Sequence, residues 1–96
     1  MTPLTDEEIA KRLGSLPHWH REGDMLVRDF DRSDFDGSIA FVNIIAKAAS
    51  DMNHHPDLVI RWNHVIVQIS SHDVRSITER DFALASIINA LASPTG

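Results

Sequence analysis

Apolar residues recur every three or four positions from Phe35 through Ile39, Val42, Ile45, Ala46 and Ala49 to Met52. This spacing predicts a long amphipathic helix with that face turned towards a core. Ser33-Asp34-Phe35-Asp36 supplies capping side chains at its start. Pro56 disfavours helical geometry at His55, so the helix is expected to end near Asn53. Phe41, Ile44 and Ala48 form a second apolar stripe on the same segment. Apolar residues on two faces predict contact with more than one surface, which points to an interface between subunits.

The segments on either side carry shorter patterns. Pro17 to Arg21 and Met25 to Phe30 read as strands around the turn Glu22-Gly23-Asp24. Leu58 to Trp62 and Val65 to Ile69 are rich in β-branched and aromatic residues, and Asn63-His64 between them predicts a tight hairpin turn. At the start, Thr5 and Glu8 match a capping box, Leu4 and Ile9 match a hydrophobic staple, and Gly14 is a natural stop. The same signature recurs near the end: Thr78 with Asp81 as the box and Ile77 with Phe82 as the staple, continued by Leu84, Ala85, Ile88 and Leu91. Ser70 to Asp73 reads as loop and Ser93 to Gly96 as a frayed tail. The order α-β-β-α-β-β-α predicts a two-layer α+β fold, a four-stranded antiparallel sheet with three helices on one face.

At 96 residues the chain suits one domain, residues 1–96, because a chain this short cannot divide its apolar residues between two cores. Nine Lys and Arg against 14 Asp and Glu leave a formal charge of −5, and Lys11-Arg12 is the only adjacent basic pair. A surface that tracks phosphates needs clustered cations, so direct nucleic-acid binding is not expected. No apolar run has membrane-spanning length, and the first residues lack a basic segment followed by an apolar one. The expectation is therefore a cytoplasmic protein. With no Cys there is no disulfide framework and no thiolate nucleophile.

Histidine is the informative residue type. Four of the six lie between His54 and His72, and imidazole, with an ordinary pKa of about 6.5, exchanges protons at neutral pH. Isolated histidines such as His18, His20 and His64 are read as surface or hydrogen-bonded residues. His54 and His55 follow the long helix directly, where free carbonyls carry partial negative charge and stabilise imidazolium, and a C-capping role explains one of them better than two. No metal is expected, since neither HExxH nor a comparable ligand spacing is present. A Ser-His-Asp hydrolase built from Ser70 or Ser71, His72 and Asp81 has little support, because nothing marks either serine as a strained elbow. Asp81 is explained by its helix-capping position alone, a role worth about 1 kcal/mol.

Asn53-His54-His55-Pro56, Trp62, His72 and Asp81 nevertheless form a constellation. Five residues separate Pro56 from Trp62, nine separate Trp62 from His72, and eight separate His72 from Asp81. In this the chain resembles the pterin-4a-carbinolamine dehydratases, and the likeness extends from Trp19, Leu26, Arg28 and Phe30, along the Phe35 helix, to Thr78-Glu79-Arg80-Asp81 and Leu84-Ala85. Ser50 stands where the family usually has a charged residue, and Leu58 where an aromatic is frequent. The resemblance implies a lyase that removes water from a 4a-hydroxytetrahydropterin without any cofactor, to give a quinonoid dihydropterin during tetrahydrobiopterin recycling alongside an aromatic amino acid hydroxylase. It also implies His54 and His72 as the acid and base. His55 would take part in catalysis and bind the polar edge of the ring, Asp81 would orient a histidine or the substrate, and Arg80 and Asn53 would lie at the substrate. A homodimer or homotetramer is implied as well. The alternative within the same fold is a non-catalytic dimerisation or assembly module, like a transcription coactivator.

Overall fold

In a computed structural model that describes residues 2–92, the chain runs α1 (Asp6–Leu13), β1 (His20–Glu22), β2 (Met25–Asp31), α2 (Phe35–Met52), β3 (Asp57–Arg61), β4 (His64–Ile69) and α3 (Glu79–Ala92). The strands form one antiparallel sheet in the order β1-β2-β4-β3. The predicted α+β order is the observed one. The tail expected at Ser93 to Gly96 lies outside the described residues.

Period-two alternation decides which face of the sheet carries the core. The register pairs Leu26 with Ile69, Arg28 with Val67 and Phe30 with Val65. All but Arg28 are buried under the helices, with Phe41 and Ile45 from α2 and Leu84, Ala85 and Ile88 from α3. The alternate residues Val27, Asp29 and Asp31 pair with Gln68, Ile66 and His64 and belong to the opposite face. Phe30 packs edge-on against both Trp19 and Phe41, an arrangement favoured by the ring quadrupoles.

The helix starts are as expected. Thr5 and Glu8 close a reciprocal capping box, and the Asp34 side chain accepts from Gly37 N at 2.7 Å. Asn53 ends α2 in the left-handed region, at φ 53°. Its successor His54 donates its backbone N–H to Ala49 O at 3.0 Å, a Schellman-type closure.

Four details differ from the sequence expectations. The first strand begins at His20 rather than Pro17, because the chain turns at Leu16–Trp19 with His18 at φ 76° and points Trp19 inward. The second hairpin turns at Trp62-Asn63 rather than Asn63-His64, since His64 is paired with both Arg61 and Asp31. The buried face of α2 is Ser38, Phe41, Ile45 and Ala49, a rotation that leaves Phe35 50% exposed and Ala46 in solvent. On α3, Ala92 is buried where Leu91 was expected, and Leu91 is 39% exposed. Both helix corrections have one cause: α2 and α3 pack against each other as well as against the sheet, and the apolar spacing alone does not say which stripe meets the sheet.

Candidate functional site

The site lies where the C-terminus of α2, the turn at 71–76 and the N-terminus of α3 meet. Asp81, in the first turn of α3, is wholly buried. Its Oδ2 accepts from Thr78 N at 2.7 Å and from the Ser71 hydroxyl at 2.9 Å, and its Oδ1 lies 2.6 Å from His54 Nε2. The hydroxyl of Ser71 is spent on Asp81, so in the 2.8 Å contact between Ser71 and Thr78 it is Thr78 that donates. Thr78 Oγ1 in turn accepts from Arg80 N at 3.2 Å. The capping box predicted for Thr78 and Asp81 is thus present from the Asp81 side, while the Thr78 oxygen serves Arg80.

This arrangement assigns the histidine proton. A buried carboxylate surrounded by donors is an acceptor at every position, so the nitrogen facing it is Nε2–H. His54 is 8% exposed, and its Nδ1 has no protein partner among the described residues. A carboxylate behind one imidazole nitrogen fixes the tautomer and the orientation of the ring, leaving the other nitrogen its lone pair. The pair can therefore take a proton at Nδ1 and hold the resulting imidazolium.

His55 and His72 are exposed, and neither makes a side-chain hydrogen bond to the described residues. His55 follows His54 directly. His72 occupies the turn closed by the bridge between Ser71 and Ser76, in which Arg75 takes φ 50°. Ser71 thereby joins the two histidines: its side chain fixes the carboxylate that holds His54, and its backbone carries His72. Its role was missed in the sequence, where it was considered only as a nucleophile; its one signal there is its place beside His72.

Arg80 has a structural task. Its Nη2 donates to Met52 O at 2.7 Å and Asn53 O at 2.9 Å, tying the start of α3 to the end of α2. The helix-end carbonyls that suggested a capping histidine are held by this arginine instead. Asn53 is exposed and supplies the left-handed turn that delivers His54 inward. Trp62 lies on the turn between β3 and β4, 70% exposed. His64 belongs elsewhere, bonded through Nδ1 to Asp29 at 2.7 Å on the other face of the sheet. Among the described residues, no group of three or more His, Cys, Asp or Glu is arranged to hold a metal ion, and no helix is long and apolar enough to cross a membrane.

Fold and site together define a two-layer α+β protein with a buried histidine–carboxylate pair at one end of its helices. The sequence profile of pterin 4 alpha carbinolamine dehydratase matches residues 2–91, and the chain belongs to that family. A protein of Thermosynechococcus vestitus, provisionally named a pterin-4-alpha-carbinolamine dehydratase, is 46% identical over 93% of this chain and 94% of its own. A counterpart of the same provisional name from Thermomicrobium roseum is 44% identical over 97% of this chain and all of its own. The crystal structure of a transcriptional coactivator/pterin dehydratase from Brucella melitensis superposes with a TM-score of 0.91 at 29% identity, covering 96% of this chain and all of that one. A pterin dehydratase-like protein identified as a RuBisCO assembly factor in the alpha-carboxysome shares the fold, with a TM-score of 0.64 at 20% identity over 78% of this chain and 87% of its own.

Proposed function

We propose that the protein is a 4a-hydroxytetrahydropterin dehydratase working by histidine acid–base catalysis. The observation that carries this reading is the buried His54–Asp81 pair, joined through Ser71 to the turn bearing His72. The reaction needs a proton delivered to the 4a-hydroxyl, so that it leaves as water with the C–O electron pair. It also needs a proton removed from the neighbouring ring nitrogen, whose electrons then form the C=N bond. His54, backed by Asp81, is suited to the base role through Nδ1, and exposed His72 to the acid role. Exposed His55 is available to the polar edge of the pterin and Asn53 borders the same turn. Arg80 acts by holding the two helix ends together, and no cofactor takes part. The relatives named for this activity support the same substrate class, and the product would return to the tetrahydrobiopterin cycle that serves aromatic amino acid hydroxylases.

The assembly-module reading draws on exposed Ile44, Ile87 and Leu91 along α2 and α3. Stopped-flow dehydration of 4a-hydroxytetrahydropterin by the purified protein separates the two. Dehydration well above the uncatalysed rate, reduced about 100-fold or more by His54→Ala, is expected for the enzyme; a rate equal to that without protein refutes it.

A further inference from the structure

We propose that a second site, the cavity between β2 and the C-terminal half of α3, binds a small oxyanion, a phosphate or carboxylate group, through Arg28 and Arg32. The cavity measures about 350 Å³, and both arginines line it with Asn89 and Ala92. Each guanidinium lies over an aromatic ring: Arg28 Cζ is 4.1 Å from the Phe30 centroid and Arg32 Cζ is 4.4 Å from that of Phe41. The two rings meet edge-on with their centroids 5.0 Å apart, so both cations are anchored on one aromatic pair. Guanidinium groups fixed in this way are preorganised for forked recognition of an oxyanion.

What they lack among the described residues is a paired counter-charge. Arg28 Nη1 donates to Asn89 Oδ1 at 2.7 Å, an oxygen that already accepts from Trp19 Nε1 at 2.7 Å. Among the described residues, Arg32 Nη1 reaches only Ala92 O, at 3.4 Å. The Nε atoms of both are buried without a partner among the described residues. Among the described residues no carboxylate pairs with either. Asp29 and Asp31 also border the cavity, but Asp29 bonds His64 and Asp31 accepts from Ser33 N. Burial, and after it the Arg32 charge, lowers the pKa of Arg28, and an anion bound beside these arginines would offset that shift by favouring the charged form. Asn89 lies eight residues beyond Asp81 on α3, about 12 Å along the axis, so this site is separate from the His54–Asp81 pair.

Trp19 is a built-in reporter, since its indole N–H shares Asn89 with Arg28, whereas exposed Trp62 is a control. The test is a ¹H–¹⁵N titration of the full chain with inorganic phosphate at constant ionic strength, and in parallel with acetate. The expected result is a saturable shift of the Trp19 indole signal with Trp62 unmoved, and an affinity about tenfold or more lower in Arg32→Gln. A response to phosphate alone assigns the site to phosphoryl groups, and a response to both anions assigns it to oxyanions in general; each supports the proposal. Equal movement of Trp19 in chloride alone, no saturation, or unchanged affinity in Arg32→Gln overturns it. Arg28→Gln is a second variant with the same expectation, and the titration of the parent decides the matter whether or not that variant folds.

Discussion

Replacing Asp81 with Asn keeps the shape of the side chain and removes its charge. The amide oxygen can still accept from Thr78 N and Ser71 Oγ, which are 2.7 and 2.9 Å from Oδ2 in the parent. The amide NH₂ then faces His54 Nε2, where a carboxylate oxygen stood at 2.6 Å. Two donors cannot face each other, so the His54 proton must move to Nδ1, the nitrogen that would otherwise act as base. A charge-assisted hydrogen bond contributes about 1.5–3 kcal/mol and a neutral one about 0.5–1.5 kcal/mol, so the exchange costs about 1–2 kcal/mol. For a domain of this size that lowers Tm by about 5–15 °C. Turnover falls by about 10²–10⁴, the worth of a positioned base. Asp81→Ala is harsher, for it leaves three donors in a buried space at about 1–3 kcal/mol each, well beyond the 1 kcal/mol expected for a helix cap alone. Thermal unfolding by circular dichroism, stopped-flow dehydration and imidazole ¹⁵N shifts on the Asp81→Asn variant test each step. A variant that melts with the parent, keeps its turnover and retains the Nε2–H form of His54 would refute the reasoning.

The other histidines separate by role: His72→Ala is expected to lower kcat by about 100-fold or more, His55→Ala to raise KM more than it lowers kcat, and His64→Ala to leave both unchanged; steady-state kinetics of the three variants check this. Ser71→Ala should lower Tm and slow turnover together, while Ser71→Thr, which restores the hydroxyl, should recover turnover; failure of that recovery would show that the hydroxyl is not what positions Asp81. The hydrogen bond to Thr5 N holds the Glu8 carboxyl below its ordinary pKa of 4.5, so its capping contribution is present above that value and is lost as the pH falls through the lowered one. The Tm difference between the parent and Glu8→Ala should accordingly close on acidification, and a difference independent of pH would contradict the assignment. Exposed Ile44, Ile87 and Leu91 predict a homo-oligomer at micromolar concentration, which light scattering would show as a mass above 10.8 kDa.

Local patterns in the chain determined most of the fold. The capping signals at Thr5, Asp34 and Thr78, the Pro56 break and the β-branched runs each act over a few residues, so the order of elements was readable without knowing what they pack against. The spacing of Asn53-His54-His55-Pro56, Trp62, His72 and Asp81 likewise pointed to the family. Which stripe of α2 meets the sheet was decided only by packing: the periodic set from Phe35 to Met52 fitted a helix, but the competition between the sheet and α3 turned Phe41 inward and left Phe35 and Ala46 in water. The turn at Trp62-Asn63 was decided by the pairing of His64 with Asp31, a residue 33 positions earlier. The proton on His54 was settled the same way, because Asp81 lies 27 residues away and is forced into an acceptor role by Ser71 and Thr78. Side-chain hydrogen bonds between distant segments leave no periodicity in a sequence, and here they hold His54, turned inward by Asn53, while His55 beside it stays exposed.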